Sequence, residues 1–173
     1  MIMPRGADQL LLPANPFFVF GSLLVALAIN LLPLGRDAAL PDLVALVLVF
    51  WNVHQPQRVG VGVAFFFGLL MDVHEAALLG QHALAYTLLS FFAITVHRRL
   101  LWFSLLGQAL HVLPLFVAAH VVSAAVRLAA GDMLPGWRLF MAPLLETALW
   151  IPVTWLLLAP QRRAPDPDEN RPL

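Results

Sequence analysis

The sequence contains no cysteine and no lysine, and few of its residues carry a charge. Without cysteine, the chain can form neither a disulfide framework nor a cysteine-ligated zinc or redox centre. All basic residues are arginines, and the ten of them balance ten acidic residues, so the formal net charge is zero. The sequence therefore has no basic patch of the kind that would indicate a nucleic-acid partner.

Charged residues make up 12% of the 173 residues and hydrophobic residues 61%. A soluble domain usually has about 25% charged and about 45–50% apolar residues. Residues 17–160 hold twelve charges, too few to cover the surface of a water-soluble globule of this length. The composition excludes a soluble enzyme, a nucleic-acid-binding protein and a disordered chain. It predicts a polytopic membrane protein.

A membrane-spanning helix needs about 20 apolar residues, so the chain has room for five or six. The second and third apolar runs are short and flank a polar turn at residues 54–58, so they form either two crossings or a re-entrant hairpin. We favour two crossings for these two runs. The first apolar run, near the amino terminus, is interpreted as a retained helix and not as a signal peptide. The predicted spans of this all-α fold are 17–34, 43–53 (extended back through Pro41 and Asp42), 59–73, 78–96, 102–130 and 137–159.

These six spans form one membrane domain over residues 17–160, and two tails remain outside it. Residues 1–16 make a short amino-terminal tail. Residues 161–173 are rich in proline and charge, which predicts a disordered carboxy-terminal tail.

The arginines predict how the domain is oriented. Six crossings put both termini on one side, which carries seven arginines against three on the other, and arginine-rich loops stay cytoplasmic. Both termini are therefore expected in the cytoplasm. Arg98 and Arg99 end the fourth span on that side, where they are expected to fix the orientation of the helix and to contact lipid headgroups. The seven are Arg5, Arg58, Arg98, Arg99, Arg162, Arg163 and Arg171, and the three are Arg36, Arg127 and Arg138.

Small residues recur every four positions along the third span, at Gly60, Ala64 and Gly68. In a helix this spacing makes a ridge against which a neighbouring helix can approach closely. Asp72 is the next position on the same ridge. The ridge suits either an internal seam or a partner helix, and Asp72 either contributes to that contact or ends its helix near water.

Glu146 lies well inside the sixth span. An ionisable side chain at that depth is costly unless it is neutralised or paired, which makes it a functional-site hypothesis by default. Arg127, near the outer end of the fifth span, is the expected salt-bridge partner. The alternative is a protonated or water-exposed structural glutamate.

No complete metal site or active site is evident in the sequence. None of the six histidines has a second histidine at the i, i+3 or i, i+4 spacing of a helical metal site. The serines of the apolar spans lack the glycine-flanked turn that a serine hydrolase needs. A paired-aspartate protease needs two intramembrane aspartates, and Asp72 has no second one as its partner. We therefore expect no metal, no cofactor and no enzymatic activity.

Several stretches carry a family resemblance. The main ones are Gly68-Leu69-Leu70-Met71-Asp72 and Leu79-Gly80-Gln81-His82-Ala83-Leu84, and three pieces flank them: Pro41-Asp42-Leu43-Val44, His54-Gln55-Pro56-Gln57-Arg58-Val59-Gly60 and Arg98-Arg99-Leu100-Leu101-Trp102-Phe103. On these stretches the sequence resembles the MreD family of rod shape-determining proteins of the bacterial inner membrane, most of all its proteobacterial branch. The likeness extends over residues 15–160 and includes the spacing of Gly68, Asp72 and Gly80.

The resemblance implies a non-enzymatic component of the cell-elongation complex that supports and regulates peptidoglycan synthesis. It implies direct contact with the single-span scaffold MreC. Through MreC or directly, it also implies links to MreB filaments, to the glycan polymerase RodA and to its transpeptidase partner. The family fold is similar to the six-helix substrate-binding subunits of ECF vitamin transporters, so a pocket facing the outer side is possible. An uptake subunit of that transporter type is the alternative function, and membrane lipids are expected partners in either case.

Overall fold

The computed structural model describes residues 14–32, 40–133 and 136–161, and this part of the chain folds as helices without a strand. The predicted all-α fold is confirmed there. Residues 1–13 and 162–173, and with them Arg5, Arg162, Arg163 and Arg171, lie outside the described residues, as does Arg36. The helices are α1 (Pro16–Asn30), α2 (Leu43–His54), α3 (Val61–His74), α4 (Gln81–Leu100), α5 (Leu105–Ala129) and α6 (Met141–Leu158), with 3₁₀ turns at Gly136–Phe140 and Ala159–Gln161.

Short polar side chains fix where α1 and α2 begin. Asn15 accepts a hydrogen bond from the Phe17 amide at 3.0 Å, next to Pro16, which has no N–H to satisfy. Asp42 likewise accepts from the Ala45 amide at 3.0 Å. The second helix therefore starts at Leu43, and the predicted extension back through Pro41 and Asp42 is wrong, because Asp42 is the cap and not part of the helix.

Among the described residues, two helical segments are long and apolar enough to cross a membrane, Leu105–Ala129 and Gly136–Gln161. The first three helices are apolar but shorter, at 15, 12 and 14 residues. The outside of the bundle carries large apolar side chains, including those of Phe17, Phe66 and Leu106. An apolar exterior of this kind suits contact with lipid, whereas the six crossings remain a prediction.

The core of the bundle is α2, in which every residue from Val44 to Val53 is buried. A helix that is apolar on all sides belongs inside a bundle, and α2 contacts α1, α4 and α6. Two polar contacts fix its position: the Trp51 indole donates to Ser22 of α1 at 2.8 Å, and Asn52 donates to Ser90 of α4 at 2.7 Å. In an apolar environment, such pairs select one arrangement of the neighbouring helices.

The backbones of α3 and α4 come close together at Gly68. A Cβ atom added to Gly68 would lie 2.4 Å from the Cα atom of Ala83 and 2.6 Å from its amide nitrogen. Ala64, one turn earlier, is fully buried, whereas a Cβ added at Gly60 or Gly62 would meet no atom within 4 Å. The ridge is therefore an internal seam with α4 at Gly68, and it is open at its Gly60 end.

We expect Gly68→Ala to destabilise the protein because the new methyl group would force the α3 and α4 backbones apart. Overpacking of this kind costs about 1–3 kcal/mol, which lowers the midpoint of thermal unfolding by about 2–4 °C for each kcal/mol. Gly62→Ala is the matched control, on the same helix with space for the methyl group. The measurement is thermal unfolding of the purified protein in detergent. Equal midpoints for the two variants would contradict the close contact.

Candidate functional site

Asp72, at the end of α3, caps the amino terminus of α4. Its Oδ2 atom accepts from the Gly80 amide at 2.8 Å and from the Ala83 amide at 3.3 Å, and its Oδ1 atom accepts from the His82 amide at 2.7 Å. Gly80 is the N-cap residue, with a φ of +104°. Because glycine has no side chain, it cannot accept these hydrogen bonds itself. A side chain from the preceding helix thus satisfies amides that a helix start leaves unpaired.

The imidazole of His82 completes this arrangement. Its Nδ1 atom lies 2.9 Å from Oδ1 of Asp72, and its Nε2 atom lies 3.5 Å from Oε2 of Glu75. The Asp72 side chain is fully buried. The structure therefore brings together Gly68, Asp72 and Gly80, three of the sequence-predicted residues, at the seam between α3 and α4.

A second polar cluster surrounds Asp42 at the same end of the bundle. Asn30, the last residue of α1, donates to Oδ1 of Asp42 at 2.8 Å and accepts from the Leu43 amide at 3.2 Å. The hydroxyl group of Tyr86, on α4, donates to Oδ2 of Asp42. The three side chains thus link the end of α1, the start of α2 and the first turns of α4.

Glu146 extends the same cluster to α5 and α6. Its Oε1 atom accepts from the Asp42 amide at 2.9 Å and lies 2.9 Å from Nε2 of His120. Glu146 is fully buried, as its depth in the sixth predicted span indicated. Polar contacts thus connect α1, α2, α4, α5 and α6 through two carboxyl groups, those of Asp42 and Glu146.

The predicted salt bridge between Arg127 and Glu146 is wrong. The Nε atom of Arg127 instead lies 3.3 Å from Oδ2 of Asp132, and both side chains are largely exposed. Arg127 lies seven residues beyond His120 on α5, about 10 Å further along the helix axis. His120 is therefore at the depth of Glu146, and Arg127 is beside the loop.

Sequence analysis did not single out His120, although the chain does hold a signal for it. In an antiparallel hairpin, residues at equal distances from the turn lie at the same depth. His120 and Glu146 are both thirteen residues from Met133, in the loop that joins α5 to the last segment. Counting outward from the loop would have paired them.

The helix ends that carry both clusters surround a cavity of about 910 Å³. We call it the acidic cavity, because its described lining has four acidic residues and one arginine. Among the described residues, the charged and imidazole-bearing ones of the lining are Asp42, His74, Glu75, His82, His120, Arg127, Asp132 and Glu146. The lining side chains come from the carboxy-terminal ends of α1, α3 and α5 and from the amino-terminal ends of α2, α4 and α6, or from the loops between them.

Arg98 and Arg99 lie at the other end of the bundle, exposed in the last turn of α4. Cations there also interact favourably with the helix dipole. In the described part of the chain, no group of three or more histidine, aspartate or glutamate residues is placed to hold a metal ion.

We expect His120→Phe to destabilise the bundle, because it removes one of the two polar contacts of Oε1 of Glu146. Interhelical hydrogen bonds within a membrane contribute about 0.6–2 kcal/mol. His111→Phe is the matched control on the same helix, since the exposed His111 ring contacts the Gly107 carbonyl oxygen of its own helix and stacks on Phe103. If thermal unfolding midpoints fall equally for both variants, the contact between His120 and Glu146 contributes nothing.

Comparison with known proteins bears on the whole helical domain. No solved structure matches the chain, so the similarity to vitamin-transporter subunits has no support from that side. The family model of the rod shape-determining protein MreD matches residues 13–159, a stretch that contains all six α-helices. The chain belongs to the MreD family of membrane proteins, which determine rod shape.

Proposed function

We propose that the protein is a non-enzymatic, multi-pass component of the bacterial cell-elongation complex in the inner membrane. In this role it supports and regulates peptidoglycan synthesis through helix contacts with MreC. MreB, RodA and the transpeptidase partner are then reached directly or through MreC. The observation that carries the proposal is the family match, which covers residues 13–159 and thus the complete helical domain.

The hydrogen bonds of Asp72 and Asp42 support a non-enzymatic role for these two side chains. Asp72 accepts three backbone amides of α4 and faces His82. Asp42 caps α2 and accepts from Asn30 and Tyr86. Carboxylates held in this way orient helices, and their acceptor capacity is committed to the fold.

We propose six crossings with both termini in the cytoplasm. The helices α1, α3 and α5 end at the acidic cavity, and α2, α4 and α6 begin there, as alternate crossings require. Arg58, Arg98 and Arg99 lie at the opposite end of the bundle, which the positive-inside rule makes cytoplasmic. At 12 residues, α2 is about 18 Å long, which is shorter than the hydrocarbon core of about 30 Å. A crossing helix can be this short because α2 is surrounded by other helices and not by lipid.

The surface that we propose for MreC is a groove between α1 and α3, with a volume of about 370 Å³. Since α4 already covers Gly68, the glycines of the α3 region that remain open are Gly60 and Gly62, and Gly62 lines this groove. Close approach at glycine is what favours helix association in lipid, so one apolar spanning helix suits it. The residues that line the groove are Phe20, Leu24, Gly62, Val63, Phe66 and Phe67.

A small-molecule uptake subunit is the alternative function, favoured only by the presence of the acidic cavity. It requires a vitamin as a saturable ligand and a helix surface for a separate coupling subunit. Depletion of the protein separates the two functions: conversion of rods to spheres supports the shape role, and a growth defect relieved by a vitamin supports uptake.

Because the chain has no cysteine, single introduced cysteines test the proposed topology directly. Gln57, in the turn between α2 and α3, and Leu79, in the loop before α4, are both exposed. In spheroplasts, a membrane-impermeant maleimide should label Leu79→Cys and should label Gln57→Cys only after permeabilisation. Equal labelling of both variants in intact spheroplasts would contradict two crossings at α2 and α3.

We expect Gly62→Leu to fill the groove and to reduce co-purification of MreC about tenfold, which corresponds to a loss of about 1.4 kcal/mol. Cells that depend on this variant should become round, while the isolated protein keeps its unfolding midpoint. Ala118→Leu, on the exposed face of α5, is the control. Rod-shaped cells with normal MreC recovery from Gly62→Leu would exclude the groove as the MreC surface.

A further inference from the structure

The acidic cavity has the size and composition of a binding site for a small molecule. Its volume of about 910 Å³ falls within the range of about 300–1,000 Å³ that is usual for such sites. Such sites combine apolar walls with a few polar groups that fix orientation. Besides its acids and histidines, the described lining includes the apolar residues Ile29, Leu32, Leu40, Leu78 and Leu139.

The charges of the described lining favour a cation. Four carboxyl groups line the cavity, those of Asp42, Glu75, Asp132 and Glu146, against one guanidinium group, that of Arg127, and three imidazole groups, which carry no charge while unprotonated. Arg127 is already paired with Asp132 at 3.3 Å. Surplus negative charge in a partly enclosed, low-dielectric space attracts a positive ligand and repels a negative one.

One buried oxygen supplies a specific binding point. Whereas Oε1 of Glu146 has two polar contacts, Oε2 is buried and has no hydrogen-bond partner among the described residues. A buried acceptor without a donor is costly, and a carboxylate oxygen binds most strongly to a charged N–H donor. An ammonium group in the cavity would supply that donor.

We propose that the acidic cavity binds a small amphipathic organic cation, whose ammonium group donates to Glu146 and whose apolar part contacts the leucine and isoleucine side chains of the wall. Tyr86 and His120 line the same space and add polar contacts beside the ammonium group. The apolar wall favours such a ligand over a bare metal ion, for which the described residues form no ligand group. The argument for this ligand does not rest on the proposed contact with MreC.

The test uses the purified full-length protein in nanodiscs and three probes that differ only in their polar group. They are 2-phenylethylammonium, the neutral 2-phenylethanol and the anionic 3-phenylpropanoate. Isothermal titration should show saturable binding of the ammonium probe, at least about tenfold tighter than the alcohol, since a charge-assisted hydrogen bond distinguishes the two. The carboxylate should not bind. Empty nanodiscs measure the non-saturable partitioning of each probe into lipid.

Two variants locate the binding in the cavity. Glu146→Gln should remove the preference for ammonium over alcohol. Ser123→Leu, which narrows the cavity wall on α5, should weaken the ammonium probe at least about tenfold. Ala118→Leu, on the exposed face of the same helix, should leave binding unchanged. If Glu146→Gln does not fold, Ser123→Leu and Ala118→Leu still decide the question.

Three results would overturn the proposal. One is the absence of saturable binding by the ammonium probe. Another is equal affinity for the ammonium and alcohol probes in the unmodified protein, which would mean that Glu146 acts as a neutral structural group. The third is unchanged ammonium affinity in Ser123→Leu, which would place the binding outside the cavity.

Discussion

The contact on which the bundle depends is the one between the Asp72 carboxyl group and the first amides of α4. The first N–H groups of a helix have no partner within the helix, and those of α4 donate to Asp72 of the neighbouring helix. Gly80 turns the chain into α4 with a positive φ but has no side chain to act as an acceptor. Asp72 can reach these amides only if α3 and α4 are nearly in backbone contact, and that is the reason for a glycine at position 68.

Once α4 is fixed against α3, its other polar side chains reach the central helix. Ser90 accepts from Asn52 in the middle of α2, and Tyr86 donates to Asp42 at its start. Asp42 in turn orients Asn30 of α1, and its amide donates to Glu146 of α6. A few hydrogen bonds thus fix helices that lipid alone does not drive together, because lipid tails are as apolar as the helix surfaces.

The sequence predicts the helices, their order and the burial of Glu146, since each depends on local hydrophobicity and segment length. It also predicts the small-residue ridge, but not what covers it, because a ridge of glycine and alanine can be approached by any helix. Whether α4 or a partner occupies Gly68 depends on tertiary contacts. The predicted partner of Glu146 is wrong for a different reason: the permanent charge of Arg127 suggests a salt bridge, whereas the contact is made by His120, a histidine at matching depth.

The same two helices border both features that remain open to other molecules. The middle of α1 and of α3 lines the apolar groove, while Asn30 and Met71, near their ends, line the acidic cavity. A partner helix that binds in the groove and displaces α1 relative to α3 would move Asn30, and with it the hydrogen bond to Asp42. Because interhelical hydrogen bonds are either formed or broken, such a displacement would change the cavity in a discrete step. The fold therefore offers a physical route by which a partner in the membrane and a ligand in the acidic cavity could influence each other.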